Sequence, residues 1–315
     1  MAVIEVDDLC RTFVVRRKTG PLRRERHDVR AVDGLSFSIE AGEMVGYIGP
    51  NGAGKSTSIK MLTGILVPTG GRVRVAGLDP ARRRTELARR IGVVFGQRTG
   101  LWWDLPLRDS FDLLRRMYAV PLDRYRANLD RFIDLLDLAP LLQQPVRSLS
   151  LGQRMRGDIA AALMHDPEIV YLDEPTIGLD VVSKGRLRQF LRDINAERGT
   201  TVMLTTHDLV DIERVCDRVM VIDRGHLVFD GNLTALQRMG SASRTVVVDL
   251  AEAAEPVCVP GATVTRVEGP RQWLSLPGDA SAAPIVSALA AGYDVADLSI
   301  QEPAIEDVIT ALYAR

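Results

Sequence analysis

The nine residues Gly49-Pro50-Asn51-Gly52-Ala53-Gly54-Lys55-Ser56-Thr57 satisfy the pattern G-x-x-x-x-G-K-[ST], a backbone loop that cradles phosphate. Glycines let such a loop wrap an anion with its N–H groups pointing inward, and the helix that follows adds positive potential. Lys55 is placed to reach the β- and γ-phosphates of a nucleoside triphosphate, and the Ser56 hydroxyl to ligate Mg²⁺. The flanks fit this chemistry. Met44-Val45-Gly46-Tyr47-Ile48 is an apolar segment of buried-strand type, and Ser58-Ile59-Lys60-Met61-Leu62 reads as the first turns of a helix.

Hydrolysis of a triphosphate also needs a held metal and an aimed water. Ile169-Val170-Tyr171-Leu172-Asp173-Glu174-Pro175 is an apolar strand that ends in two carboxylates. Asp173 suits holding Mg²⁺ directly or through water. Glu174 follows at once, so in extended geometry it points the other way. Ser150 is a natural N-cap, and the helix opening at Leu151-Gly152-Gln153 directs its N–H groups and dipole at an anion. Gly178-Leu179-Asp180 comes next, then the strand Thr201-Val202-Met203-Leu204-Thr205, then His207.

In that order and spacing, these residues resemble the ATP-binding cassette (ABC) family over roughly residues 1–235. The resemblance implies ATP and Mg²⁺ as cofactors and an ATPase reaction. It implies that Glu174 polarises the attacking water. Gln97 is similar to the family glutamine that touches Mg²⁺ or water and links the site to a transport subunit. His207 is similar to the histidine that contacts the γ-phosphate. Asp180 matches the aspartate at the dimer seam. Phe13 stands where the family stacks an aromatic on adenine, and a buried core Phe is the other reading. Ser150, Gly152 and Gln153 would serve the nucleotide bound by a second copy. Leu151 departs from the family's two small residues, while Gly152 is kept. One copy of each motif therefore implies two chains facing head to tail with two ATPs at the seam.

The implied fold is α/β, a P-loop NTPase cassette over residues 1–239. It holds a parallel core sheet, an antiparallel β subdomain and a helical subdomain at about 98–165. A small α+β domain follows at 240–315. The ending Ser299-Ile300-Gln301-Glu302-Pro303-Ala304-Ile305-Glu306-Asp307-Val308 resembles the multidrug or daunorubicin-resistance-like exporter branch. That implies the nucleotide-binding subunit of a bacterial transporter, peripheral on the cytoplasmic face of the plasma membrane and powering separately encoded polytopic permeases. The alternative is an ABC ATPase of iron–sulfur assembly, translation or DNA repair. A single cassette, no long coiled coil between the motifs, and the extra residues 244–315 argue against it.

Composition agrees with a globular chain. Of 315 residues, 46% are hydrophobic, and the net charge of −1 sets up no field that would recruit nucleic acid. No apolar run approaches the roughly 18 residues of a membrane helix, so direct insertion is not expected. The start, Met1 to Asp8, alternates like a strand rather than a signal peptide. Cys10, Cys216 and Cys258 form no C-x-x-C pair, which fits reduced thiols. Residues 11–30 are locally basic, with Arg11, Arg16, Arg17, Lys18, Arg23, Arg24, Arg26 and Arg30 against Glu25 and Asp28. Residues 16–30 read as an excursion between strands, either a solvated loop or a surface for anionic lipid.

The elements that must position these groups follow from periodicity. Residues 1–15 and 31–48 read as strands, with Arg72-Val73-Arg74-Val75 and Ile91-Gly92-Val93-Val94-Phe95 after them. Residues 107–165 are mostly helical, with Leu129, Phe132, Ile133 and Leu136 on one core-packing face. Strands and helices alternate from 167 to 230, with a hairpin turn at Asp223-Arg224-Gly225-His226. Gly240-Ser241-Ala242-Ser243 marks a boundary. Strands at 245–250, 263–267, 272–276 and 294–300, and helices at 281–291 and 304–314, make the appendage. Two readings fit Trp102 and Trp103: a permease contact on the loop, or burial within the helical subdomain.

Overall fold

The computed structural model describes residues 1–18, 24–96, 98–206, 208–239, 244–277, 280–301 and 308. They form two compact units, Met1–Asp230 and Gly231–Arg315, divided ahead of the Gly240–Ser243 stretch.

The first unit holds two sheets and a helical layer. A six-stranded sheet has the order β5-β6-β7-β3-β8-β9. Its strands are β3 (Met44–Ile48), β5 (Ile91–Phe95), β6 (Ile169–Asp173), β7 (Thr201–Thr205), β8 (Arg218–Asp223) and β9 (His226–Asn232). From β5 to β8 the neighbours are parallel. Such strands are covered on both faces, and β3 and β7 are buried at every residue. Helices α1 (Lys55–Leu62), α2 (Arg84–Ala88), α6 (Val181–Arg198) and α7 (Leu209–Val215) connect them. The helical subdomain comprises α3 (Leu107–Met117), α4 (Leu122–Leu136) and α5 (Leu151–Leu163). The apolar stripe of α4 packs inward, with Phe132 edge-on to Phe190 of α6 at 5.6 Å.

The second sheet, ordered β2-β1-β4, joins β1 (Ala2–Lys18), β2 (Arg24–Glu40) and β4 (Gly70–Val75). Here one expectation is corrected. The basic stretch is no excursion: β1 and β2 pair antiparallel along their whole length, out to Lys18 opposite Arg24. Partner β4 covers β1 only from Ile4 to Cys10, so the distal half is a two-stranded ribbon. Cross-strand pairing satisfies its backbone groups, and the β-branched Val14, Val15 and Val29 favour the extended chain. Residues 44–48, read as continuing the strand from 31, belong instead to the core sheet as β3.

The second unit carries α8 (Leu233–Met239) and α9 (Ala283–Gly292). Its antiparallel sheet, ordered β11-β12-β10-β13, uses β10 (Arg244–Leu250), β11 (Thr263–Glu268), β12 (Arg271–Leu276) and β13 (Val295–Gln301). Val246, Val248, Leu274 and Leu276 meet Ile285 and Leu289 of α9 in one core. Gln272 is buried on that face because its amide is satisfied: Oε1 accepts the Val257 N–H at 2.8 Å, and Nε2 donates to the Glu255 carbonyl at 3.0 Å. The helix expected at 304–314 lies outside the described residues apart from Val308. Among the described residues no helix is long and apolar enough to cross a membrane.

Candidate active site

The parallel registers set the site. Phe95 pairs with Asp173, and Asp173 with Thr205, so β5, β6 and β7 end level with one another. Central β3 runs into the glycine loop at the same edge, the carboxyl end where open α/β sheets bind ligands. Gln97 and His207, expected just past β5 and β7, lie outside the described residues.

The loop from Gly49 to Gly54 is wedged between strands. Gly54 has φ 108°, and a Cβ there would lie 2.5 Å from the Ala31 carbonyl, so only glycine fits against β2. On the other side the β8–β9 turn closes over it. Gly225 donates its N–H to the Ala53 carbonyl at 2.9 Å and accepts the Asp33 N–H at 3.0 Å. Arg224 and Gly225 both have positive φ, the turn geometry that matches hairpin twist. A loop held on both flanks presents its N–H groups without further ordering cost.

Lys55 is the first residue of α1, and its Nζ donates to the carbonyls of Gly49 and Pro50. Burial pushes its ammonium below the ordinary value, and the Glu174 and Asp173 carboxylates pull it back up. Ser56 Oγ donates to Asp173 Oδ2 at 3.2 Å, and Thr205 Oγ1 donates to Asp173 Oδ1 at 2.5 Å. Thr205 was missed from the sequence; the signal was a hydroxyl residue at the end of an apolar strand. Glu174 adopts φ 56°, the left-handed region, with its N–H bound to the Thr205 carbonyl at 3.0 Å. A non-glycine residue held there stores roughly 1–3 kcal/mol.

Ser150 and Gln153 form a reciprocal capping box at the start of α5: Gln153 N–H to Ser150 Oγ at 3.2 Å, Ser150 N–H to Gln153 Oε1 at 2.9 Å. A Cβ on Gly152 would lie 2.6 Å from the Gly178 carbonyl, and Leu151 packs over Gly178. The odd leucine thus joins this turn to the Gly178–Asp180 segment. Asp180 caps α6, taking the Ser183 N–H and hydroxyl at 2.9 and 2.7 Å, and those bonds hold its carboxyl below the usual range. No hydrogen bond among the described residues links Ser150 to Lys55, Ser56 or Asp173.

Two further placements matter. Asp208, next to His207, caps α7 and pairs with Lys184 of α6 at 2.7 Å. Phe13 is half-buried with the Arg11 guanidinium 4.7 Å over its ring, so the buried-core reading does not hold. It pairs with Val29, two residues from the Ala31 that touches the loop.

Beside this edge, a groove of about 360 Å³ separates the core sheet from the helical subdomain, lined by Ile65, Phe95, Leu114, Tyr118, Asp158 and His165. Burial pushes the Asp158 carboxyl up to about 6 and the His165 imidazole down to about 4. The Tyr118 ring stacks on His165 at 4.0 Å. The two shifts oppose one another. Asp158, raised, stabilises below about pH 4 and loses that contribution as pH rises through 6. His165, lowered, stabilises above about pH 6.5 and loses its contribution as pH falls through 4. Asp158→Asn removes the first effect alone. Between pH 4 and 6 the stability of the variant should rise relative to the parent by about 2 kcal/mol. Urea melts across that range check it, and parallel curves would contradict the assignment.

Trp103 is 49% exposed and Trp102 half-buried, so the paired tryptophans are not both core residues.

Similarity to known proteins agrees with this geometry. Residues 32–177 match the family model described as ABC transporter. The chain is 33% identical to the daunorubicin resistance ATP-binding protein DrrA3 of Streptomyces coeruleorubidus, covering 90% of this chain and 92% of that one. It is 32% identical to the ABC transporter ATP-binding protein NatA of Bacillus subtilis, covering 74% and 91%. A dimeric ATP-binding cassette solved in a post-hydrolysis state with ADP and Pi superposes with TM-score 0.63 and 26% identity, over 73% of this chain and 98% of that one. Matched at 33% identity over 90% of its length by one such relative and by the family model over residues 32–177, the chain belongs to the ABC transporter family as one of its ATP-hydrolysing ATP-binding proteins.

Proposed function

We propose that this chain is the ATP-hydrolysing subunit of a bacterial ABC exporter, seated peripherally on the cytoplasmic face of the membrane and working as a pair of identical copies. The observation that carries the reading is the cluster of Lys55, Ser56, Asp173 and Glu174 at one sheet edge, with the Ser150 turn held apart on α5. Ser56 Oγ and the Asp173 carboxylate are hard oxygen donors 3.2 Å apart, a set that suits Mg²⁺ bound jointly with phosphate oxygens. The metal would neutralise charge on the transferring phosphoryl group. Lys55 and the Gly49–Thr57 N–H groups bind the β- and γ-phosphates, and Glu174 takes the proton of the attacking water. By the family resemblance, Gln97 would touch Mg²⁺ or water and His207 would contact the γ-phosphate. Phe13 stacks on the adenine.

The Ser150–Gln153 turn, backed by Gly178–Asp180, completes the partner copy's site, so two ATPs lie in an isologous seam. ATP binding closes the pair and hydrolysis reopens it, which shifts a polytopic permease between two access states. The permease docks at the groove beside β5, where Ile65 is 44% exposed. The relative named for daunorubicin resistance supports the export direction.

Two measurements test this. Light scattering should show a shift from one copy to two on adding Mg²⁺ and ATP. Detergent-extracted membranes should yield a polytopic protein with the tagged chain. Full ATPase activity in a strict monomer would overturn the paired site. Recovery only from ribosomal, DNA-repair or iron–sulfur assembly complexes would overturn the transport assignment.

A further inference from the structure

Residues 99–105 run antiparallel to α5, contact by contact, from beside Gln97 down to the residues before Ser150. Asp158 Oδ1 accepts from both Thr99 Oγ1 at 2.7 Å and the Gly100 N–H at 3.0 Å. Thr99 Oγ1 also accepts the Leu101 N–H at 3.1 Å. Beside Asp158, Gly157 leaves room for Leu101 and Leu107; a Cβ would lie 3.2 and 2.9 Å from their methyl groups. Four residues before Asp158, on the same helical face, the Arg154 guanidinium lies 5.3 Å over the Trp103 ring. The chain then meets the segment ahead of Ser150. Arg147 N–H donates to the Trp103 carbonyl at 2.9 Å, Arg147 Nη1 to Asp104 Oδ1 at 3.2 Å, and Val146 N–H to the Leu105 carbonyl at 3.0 Å.

Magnitudes pick out one member. Arg147 and Asp104 are both mostly exposed, and such pairs are worth about 0–1 kcal/mol. An exposed cation–π contact gives roughly 0.5–1 kcal/mol. The two Asp158 bonds share one charge-assisted acceptor, the stronger class, and the Thr99 bond is partly buried. Removing their acceptor would also leave the partly buried Thr99 hydroxyl without this partner.

We propose that Asp158 is the positioning residue that locks the 99–105 strip to α5, so that the segment following Gln97 and the Ser150 turn move as one piece. Asp158 stands eight residues along the helix from Ser150, about 12 Å away, and touches no nucleotide. It acts through the strip and through α5 on how Ser150 meets the partner copy's ATP. The inference rests on the paired-site reading above.

The test uses the full chain carrying Glu174→Gln, with Mg²⁺ and ATP, and follows pairing by light scattering. Adding Asp158→Ala should raise the ATP concentration for half-maximal pairing at least tenfold. Binding of a fluorescent ADP analogue to the single copy should change less than twofold. Asp158→Asn keeps Oδ1 as an acceptor and should restore pairing. Thr99→Val removes one donor at nearly constant shape and should shift pairing in the same direction by a smaller factor; it carries the test if Asp158→Ala melts early. Parent-like pairing in Asp158→Ala or Thr99→Val, or an Asp158→Asn variant as impaired as Asp158→Ala, overturns the lock. A Glu174→Gln parent that never pairs overturns the two-copy reading and the proposal with it, a result distinct from failure of the variants alone.

Discussion

Glu174→Gln is expected to lower steady-state ATP turnover by roughly 10²–10⁴-fold while ATP still binds. That is the range a positioned general base contributes. The substitution keeps shape and hydrogen bonding and removes only the basic oxygen. The binding parts are untouched: the loop stays wedged by β2 and the β8–β9 turn, and Lys55 keeps Asp173 as a neighbouring charge. Backbone strain is also constant, since glutamine meets the same left-handed geometry as glutamate at φ 56°. Phosphate-release assays at saturating ATP measure the loss, and a nucleotide-binding titration confirms that affinity survives. Turnover within a fewfold of the parent would remove Glu174 from the proton-transfer role. Slow turnover with lost affinity would instead point to a damaged loop.

What was legible in the sequence divides along a physical line. The phosphate loop was readable because chemistry restricts residue types over nine consecutive positions. The carboxylate pair was readable because an apolar strand ending in Asp173-Glu174 has few other uses. Strand periods located β10 to β13 to within a residue or so, since one-sided burial enforces alternation in half-covered sheets. The ribbon of β1 and β2 was not legible. Its residues are charged enough to look like loop, and what makes them strands is cross-strand pairing with each other, Lys18 with Arg24 and Phe13 with Val29. Asp158 was illegible for a different reason: its partner Thr99 is 59 residues away, and a lone aspartate on a helix ordinarily faces water. Lys184 and Asp208 share that problem at a separation of 24. Local pattern thus named the residues proposed to touch phosphate, while groups such as Asp158 and Asp208 that brace the surrounding elements are set by contacts no short window contains.

Lys55→Ala is expected to weaken Mg·ATP binding at least 30-fold, about 2 kcal/mol, the low end of what removing one partner of a buried charge contact costs. Two consequences of the geometry add up. The ammonium that meets the β- and γ-phosphates is gone, and the Asp173 and Glu174 carboxylates lose the cation that shares their site. They then face an incoming triphosphate as uncompensated negative charge. Lys55→Met separates these from packing, because it keeps the aliphatic stem where α1 begins and deletes the charge alone. Isothermal titration with ATP in Mg²⁺ should find both variants weak, and thermal melts should find the methionine form as stable as the parent. Folding does not depend on this charge, since burial already disfavours the ammonium and its hydrogen-bond partners among the described residues are the Gly49 and Pro50 carbonyls. A methionine variant that binds Mg·ATP like the parent would mean that the backbone N–H groups alone hold the phosphates, and Lys55 would lose its place in the site.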